Sequence, residues 1–429
     1  MNIKAITFKY IYSACTIVRT PDISILSDPW FTPGIIDGSW FHGTKIKDPL
    51  KTISNVDIIY ISHIDPDHYD PIFLRKYFQR FGKKKIIISD HKKNHLYQKM
   101  FADGFRPIIL KKELKIGKTE VRIIPHETGS ISDIDSAFTI KYFEKKKTHC
   151  LVNTNDIVID DKILNTIREN LKGTKVNLLA CGYTGAGAYP QTYFKLGSKK
   201  LNQEIKKKIK LYENKYKKII NFFNADFNIP FAGEYLLGGF LTKYNKYKAN
   251  PDPIDVKRYD KNALVFETGG EINTNNYKTK KIRKKKKSSS TINKRLKEIS
   301  NKKMDYERLI NQNEIDQLPL KRLLISATHK AKKYSEYNKD FFFIINFGKK
   351  NVAVINVNKI KKNSIYFKKN LNNLPKPRCE ITIDPRYLFG LITNIYHWNN
   401  AEGGSHYTCN RVPNIFNRKV QNFLNFLAI

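Results

Sequence analysis

The run Asp57–Pro71, DIIYISHIDPDHYDP, sets two imidazoles and two carboxylates within six residues, at His63, Asp65, Asp67 and His68. Imidazole nitrogen together with carboxylate oxygen suits a divalent cation. The apolar stretch Ile58–Ser62 just before them reads as a strand, and a turn at a strand end lets alternate side chains converge on one point. The plainer alternative is a polar turn that caps the helix after Pro71. A turn that only caps seldom carries two His and two Asp, so a cation site is the favoured reading. Further along, His126 and Asp156 each close a short apolar run; alone, His126 would be structural and Asp156 a helix cap.

The elements around these residues are short β-branched runs alternating with helical spacing. Strands are expected at Ile23–Leu26, Val56–Ser62, Lys85–Ser89, Val121–Pro125, Cys150–Asn153 and Val176–Ala180, and helices at Pro71–Phe81, Lys92–Gly104 and from Lys199 to about Lys217. Such alternation predicts an α/β layer architecture. The basic run within Tyr277–Lys303 holds hardly any apolar residues and reads as a solvated linker or surface insertion. Beyond it, Phe341–Phe347, Val352–Val357 and Glu380–Ile383 are expected to be antiparallel strands, and Pro413–Leu427 a closing helix.

At 429 residues and 41% apolar composition the chain can bury a large core. Its formal charge of +39 favours anionic partners. Excess Lys, Asn, Ile, Tyr and Phe, with sparse Ala, Gly and Arg, also matches AT-rich codon usage, so the charge alone does not argue for nucleic acid. The five cysteines have no close spacing, which predicts neither a zinc ribbon nor a disulfide framework and fits a reducing, cytoplasmic setting. Lys4 and Lys9 interrupt the apolar stretch Ile3–Val18, against a secretory segment. No window nears the about 20 apolar residues of a transmembrane segment. His397, His406 and Cys409 read as ordinary loop residues.

The His/Asp run resembles the metallo-β-lactamase superfamily signature HxHxDH, with Asp65 in place of the second His. Ile25–Trp30, ILSDPW, is similar to an early segment of that superfamily. Cys150–Asp156 (CLVNTND), Gly182–Phe194 (GYTGAGAYPQTYF) and Ile229–Tyr235 (IPFAGEY) resemble three segments of the CMP-N-acetylneuraminate hydroxylase family, in the same order. The resemblance covers residues 5 to 240. It implies an αββα metallo-β-lactamase-type sandwich over residues 1–275, while composition and the strand and helix pattern set a basic linker or insertion at 276–304 and a small α+β domain at 305–429. It also implies one or two divalent transition-metal ions: His63, Asp65 and His126 around one, Asp67 and His68 at a second, and Asp156 bridging. Asp65 tilts preference from zinc toward iron or manganese. The usual last His ligand is missing, since Pro230-Phe231-Ala232-Gly233 stands there, a loss the hydroxylase family shares.

The resulting expectation is a metal-dependent hydrolase acting on an anionic small molecule, a nucleotide sugar or acidic glycan precursor. Asp67 or Asp156 would orient the attacking water or act as base. Tyr183, Tyr189 and Gln191 of the Gly-rich loop are the candidate substrate contacts. A hydroxylase is the second reading. No Cys-x-His pair of the Rieske kind occurs in this sequence, so a hydroxylase would need an external electron-transfer protein. A binding module with a degenerate metal site is the third. The Gly-rich and PFAG segments point away from a nuclease, despite the charge.

Overall fold

The computed structural model describes residues 4–128, 133–145, 147–348, 350–361 and 364–429. Two mixed sheets lie face to face. The first orders its strands Thr279–Ile282, Phe266–Asn273, Thr7–Tyr12, Cys15–Arg19, Ser24–Ser27, Ile58–Tyr60, Lys85–Ile88 and Ile108–Ile109. The second runs Phe227–Phe231, Leu178–Gly182, Thr148–Asn155, Ser136–Phe143, Thr119–Pro125 and Leu114–Ile116.

Residues 58–61 show why four layers form. All are apolar and buried, and strand alternation sends them to opposite faces. Ile58 and Tyr60 join Phe8, Ile25, Phe138 and Leu151 between the sheets. Ile59 and Ile61 face outward onto Phe73, Leu74 and Tyr77 of helix Pro71–Phe81 and onto Leu96 and Met100 of helix His95–Ala102. On the far side, Val152, Leu179 and Cys181 pack against Ile163, Leu164 and Ile167 of helix Asp161–Leu171 and against Tyr216, Ile219 and Phe223 of helix Lys199–Phe223. Each such buried side chain stabilises by about 1.5–3 kcal/mol, so strands apolar on both faces require helices outside both sheets.

The stretch 276–304 carries structure. Thr279–Ile282 extends the first sheet, and Ser289–Ser300 is a helix capped by the Ser288 hydroxyl with Ile299 buried. Beyond it a five-stranded sheet orders Ile365–Lys368, Val352–Asn356, Phe342–Asn346, Arg378–Ile383 and Tyr407–Val412. One expectation fails here: Phe342–Asn346 and Arg378–Ile383 pair in parallel, with Phe343 opposite Cys379. Two hairpin reversals restore the chain's original direction before it crosses back beside the first strand. The Sγ atoms of Cys379 and Cys409, on neighbouring strands, lie 2.8 Å apart as free thiols. No helix among the described residues is long and apolar enough to cross a membrane.

One apolar core joins the two units, with Tyr12, Trp30, Trp40 and Tyr235 packed together with Tyr306, Leu324, Phe343, Tyr387 and Trp398. At this seam Ile36 and Asp37 adopt left-handed backbone, at φ 53° and 58°, which for a β-branched residue costs on the order of 1–3 kcal/mol. The carboxy-terminal unit holds them there. His406 Nε2–H donates to the Ile36 carbonyl at 2.9 Å, the Tyr387 hydroxyl to Asp37 Oδ2 at 2.7 Å, and the Asn400 amide to Asp37 Oδ1 at 3.3 Å.

Candidate metal centre

The strand Ile58–Tyr60 ends at the sheet edge and hands over to a tight turn, in which the amides of His68 and Tyr69 both donate to the Asp65 carbonyl at 2.9 Å. Asp70 then closes the turn. Its Oδ1 accepts from the Phe73 amide at 2.9 Å, capping the Pro71 helix, while Oδ2 accepts from the Phe31 and Thr32 amides at 3.0 and 2.7 Å. The turn is thereby fastened to the segment that follows Asp28-Pro29-Trp30. Across the sandwich, strand Thr148–Asn155 delivers Asp156, with Asn155 in left-handed backbone at φ 54°.

These two strand ends bring His63, His68 and Asp156 together, with one donor atom from each within 4.8 Å of the others. His63 Nε2 lies 3.9 Å from Asp156 Oδ1 and 3.6 Å from Asp65 Oδ2. His68 Nε2 lies 3.5 Å from Asp156 Oδ2 and 3.3 Å from Asp67 Oδ2. Two ligands held about 2.1 Å from one ion at the tetrahedral angle stand about 3.4 Å apart. The separations here are close to that edge length, and the donor set fits a divalent cation. Because the two rings sit 3.9 Å apart, centroid to centroid, His63 and His68 form one convergence with Asp156 between them, not two separate groups.

The electrostatics agree. Burial and mutual repulsion disfavour charge on both rings, yet Asp156 and Asp65 raise His63 to about 9, and Asp67, Asp156 and Asp28 hold His68 well above the ordinary imidazole value. Burial opposes ionisation of Asp156, but the His68 and His63 charges hold its carboxyl well below the usual range. Burial raises Asp135 nearby to about 6, against the pull of His63, with Asp156 and Asp65 adding to the rise. The centre is a concentration of negative charge that protons now balance and a metal cation could balance instead.

Support comes from residues that sequence reading left without a role. Asp28 is fully buried. Its Oδ1 accepts from the Ser62 backbone amide at 2.8 Å; its Oδ2 accepts from the Asn155 side-chain amide at 2.8 Å and lies 3.2 Å from His68 Nδ1. A carboxylate behind a ligating imidazole fixes tautomer and ring direction. The Ser62 hydroxyl lies 2.9 Å from His63 Nδ1 and 3.2 Å from His68 Nδ1. The one sequence signal was the SDPW segment, which shows that Asp28 is there but not that it reaches His68.

A four-layer α–β–β–α sandwich with a His/Asp turn at the edge of its two sheets decides the family of folds. This is a metallo-β-lactamase fold. No protein-family model matches the chain. Its sequence is similar to the cytidine monophosphate-N-acetylneuraminic acid hydroxylase of Mus musculus, 25% identical over 249 residues, which is 55% of this chain and 40% of that protein. The hydroxylase of Asterias rubens is 25% identical over 170 residues, 36% of this chain and 24% of that protein. The chain thus spans less than half the length of these relatives. Among solved structures, the metallo hydrolase Igni18 of Ignicoccus hospitalis is 16% identical with a TM-score of 0.41, covering 63% of this chain and 98% of that one. CmlA, a diiron β-hydroxylase from Streptomyces venezuelae, is 13% identical with a TM-score of 0.41, covering 65% and 54%.

Within this metallo-β-lactamase fold, four expected site residues lie elsewhere than expected. His126 closes strand Thr119–Pro125, but its Nε2 sits 3.1 Å from Asp160 Oδ2, the cap of helix Asp161–Leu171, outside the three-residue convergence. Tyr183, Tyr189 and Gln191 do not line the chamber in front of the carboxylates. Tyr183 is buried beneath Gly233. Tyr189 donates its hydroxyl to Glu204 at 2.5 Å, and the Gln191 amide is taken by the Gly187 carbonyl at 2.6 Å and Ser405 Oγ at 3.0 Å. From that loop it is Gly185 and Ala186 that line the chamber, a space of about 60 Å³ bounded also by Asp65, Asp67, Asp156, Gly233, Tyr235 and Trp40. Ile36, Asn399, Asn400 and Gly403 complete it, so the carboxy-terminal unit supplies part of its wall.

Proposed function

We propose that this chain is a metal-dependent enzyme that acts on an anionic small molecule by activated water. His63, His68 and Asp156 would hold one or two divalent transition-metal ions, with Asp65 and Asp67 as the remaining donors. The carrying observation is the set of nitrogen-to-oxygen separations of 3.3–3.9 Å among these five side chains. A bound iron, zinc or manganese ion would supply Lewis acidity and bring the pKa of coordinated water toward neutrality.

The protein's own groups do the rest. Asp28 and Ser62 aim the two imidazoles. Asp156, held ionised by both rings, can orient a water through its carboxylate, and Asp67, whose side chain is 13% exposed, borders the chamber where a water or substrate group enters. Trp40, stacked on Tyr235 at 3.6 Å, forms an aromatic wall of the chamber. A nucleotide sugar or acidic glycan precursor is the substrate class proposed. The overall charge of +39 supports it, as does similarity to hydroxylases that by name act on a cytidine monophosphate sugar acid.

That similarity also supports a second reading, hydroxylation with electrons from a separate carrier protein. Elemental analysis of protein purified without oxygen separates the two, since tightly held iron favours oxygen chemistry and zinc favours hydrolysis. Stoichiometric metal in the wild type, lost in His63→Ala and His68→Ala, is the expected result. Sub-stoichiometric metal, unchanged when Asp67 and His68 are replaced, would instead establish a binding module with a decayed centre.

A further inference from the structure

We infer that substrate reaches the centre along a groove between the two units, and that this groove receives an acidic group carried on an apolar or aromatic body; the inference rests on the metalloenzyme reading above. The groove encloses about 430 Å³, within the range of small-molecule sites. It adjoins the reaction chamber, since Asp65, Asn399 and Asn400 line both. Whatever lies in the groove therefore ends at the metal donors.

The two walls differ in chemistry. On the amino-terminal side stand Lys93 and Lys99. Lys99 is neutralised by Asp103 at 2.7 Å, whereas Lys93 makes no ion pair among the described residues. Opposite them, Ile395 is 56% exposed beside Phe426, an apolar surface awaiting contact. Among the described residues Asp65 is the one carboxylate lining the groove, and it stands at the chamber end. An anionic group is thus drawn to Lys93 and kept from Asp65, which orients the body of the ligand along Ile395 and Phe426 with its neutral end toward the centre. At the junction the Asn399 side chain, exposed on helix Trp398–Gly403, offers both a donor and an acceptor. Another basic cavity, of about 620 Å³ near Lys285, makes a weaker candidate because Arg283, Lys286 and Lys287 there are already paired with Glu234, Asp252 and Asp255.

The test is ligand-observed NMR on the full chain with phenyl phosphate, benzoate, inorganic phosphate and benzyl alcohol. Phenyl phosphate or benzoate should bind saturably and at least fivefold tighter than inorganic phosphate or benzyl alcohol, and whichever of the two wins identifies the acid. Lys93→Glu and Ile395→Asp, both at exposed positions, should each weaken that binding tenfold or more, with Lys285→Glu within twofold of wild type. Equal binding by wild type, Lys93→Glu and Ile395→Asp overturns the inference, as does inorganic phosphate binding as tightly as the aromatic acids. Metal content measured on the same samples reports on the centre separately. Wild-type protein without metal would sink the metalloenzyme reading and leave the groove result to stand by itself.

Discussion

Replacing Asp28 by Asn tests whether the carboxylate beneath His68 aims the centre or merely fills space. The change is isosteric, so packing is kept. All three groups around Asp28 bring nitrogen: the Ser62 amide on one oxygen, the Asn155 amide and His68 Nδ1 on the other. An Asn side chain has one acceptor, and in either orientation its NH2 faces at least one of these N–H donors. One buried donor then loses its partner, at about 1–3 kcal/mol of stability. His68 loses its anionic anchor when the NH2 turns toward it, and changes at carboxylates behind ligating imidazoles cost about 10- to 100-fold in metal affinity, which is about 1.4–2.7 kcal/mol. Competition with a chromophoric chelator measures the affinity, and urea unfolding of metal-free protein measures the stability. The expected result is a loss in both. Affinity within threefold of wild type, alongside the stability loss, would refute the claim that Asp28 directs His68.

Three further outcomes follow from the same geometry. Carboxylates raise His63 to about 9 and hold His68 well above the ordinary imidazole value; cation binding should therefore release protons, and log affinity should rise with pH. Calorimetry in buffers of different ionisation enthalpy counts them, and release near zero contradicts the charge balance described. Burial raises Asp37 to about 7, against hydrogen bonds from Tyr387 and Asn400. The folded state therefore binds this proton more tightly than the unfolded one, and stability present below about pH 4 is lost as pH rises through 7. Asp37→Asn should flatten that loss, read as urea midpoints at pH 5 and pH 8, and an unchanged pH profile argues against it. Gly233→Ala would bring a Cβ to 2.3 Å from Thr184 and 3.0 Å from the Tyr183 ring, an overpacking expected to cost about 1–3 kcal/mol; a thermal midpoint equal to wild type means the loop yields.

Where sequence and structure agree, the signal was local. Helix Pro71–Phe81 begins and ends where Asp70-Pro71 and Gly82 dictate, because a cap, a first-turn proline and a terminal glycine act within a few residues. Strand Thr119–Pro125 shows as alternation. Ser136–Phe143 escaped notice because Lys141 breaks its apolar run, and the reason is tertiary: its ammonium donates to the carbonyls of Asn170 and Leu171, each at 3.1 Å. Helix Ser289–Ser300 buries Ile299 alone, too little periodicity to stand out from a lysine run. At the centre, the turn from His63 to Asp70 announced its donors by residue type alone. The roles of Asp28 and His126 depend on which strands become neighbours, and nothing near either residue encodes that. Parallel pairing of Phe342–Asn346 with Arg378–Ile383 was hidden for the same reason.

The left-handed bend at Ile36–Asp37, gripped by Tyr387, Asn400 and His406, also fixes an order of events at the ribosome. The donors at His63, His68 and Asp156 emerge well before the residues that hold the bend. Until the residues around Tyr387, Asn400 and His406 are made and docked, the chamber lacks one of its walls.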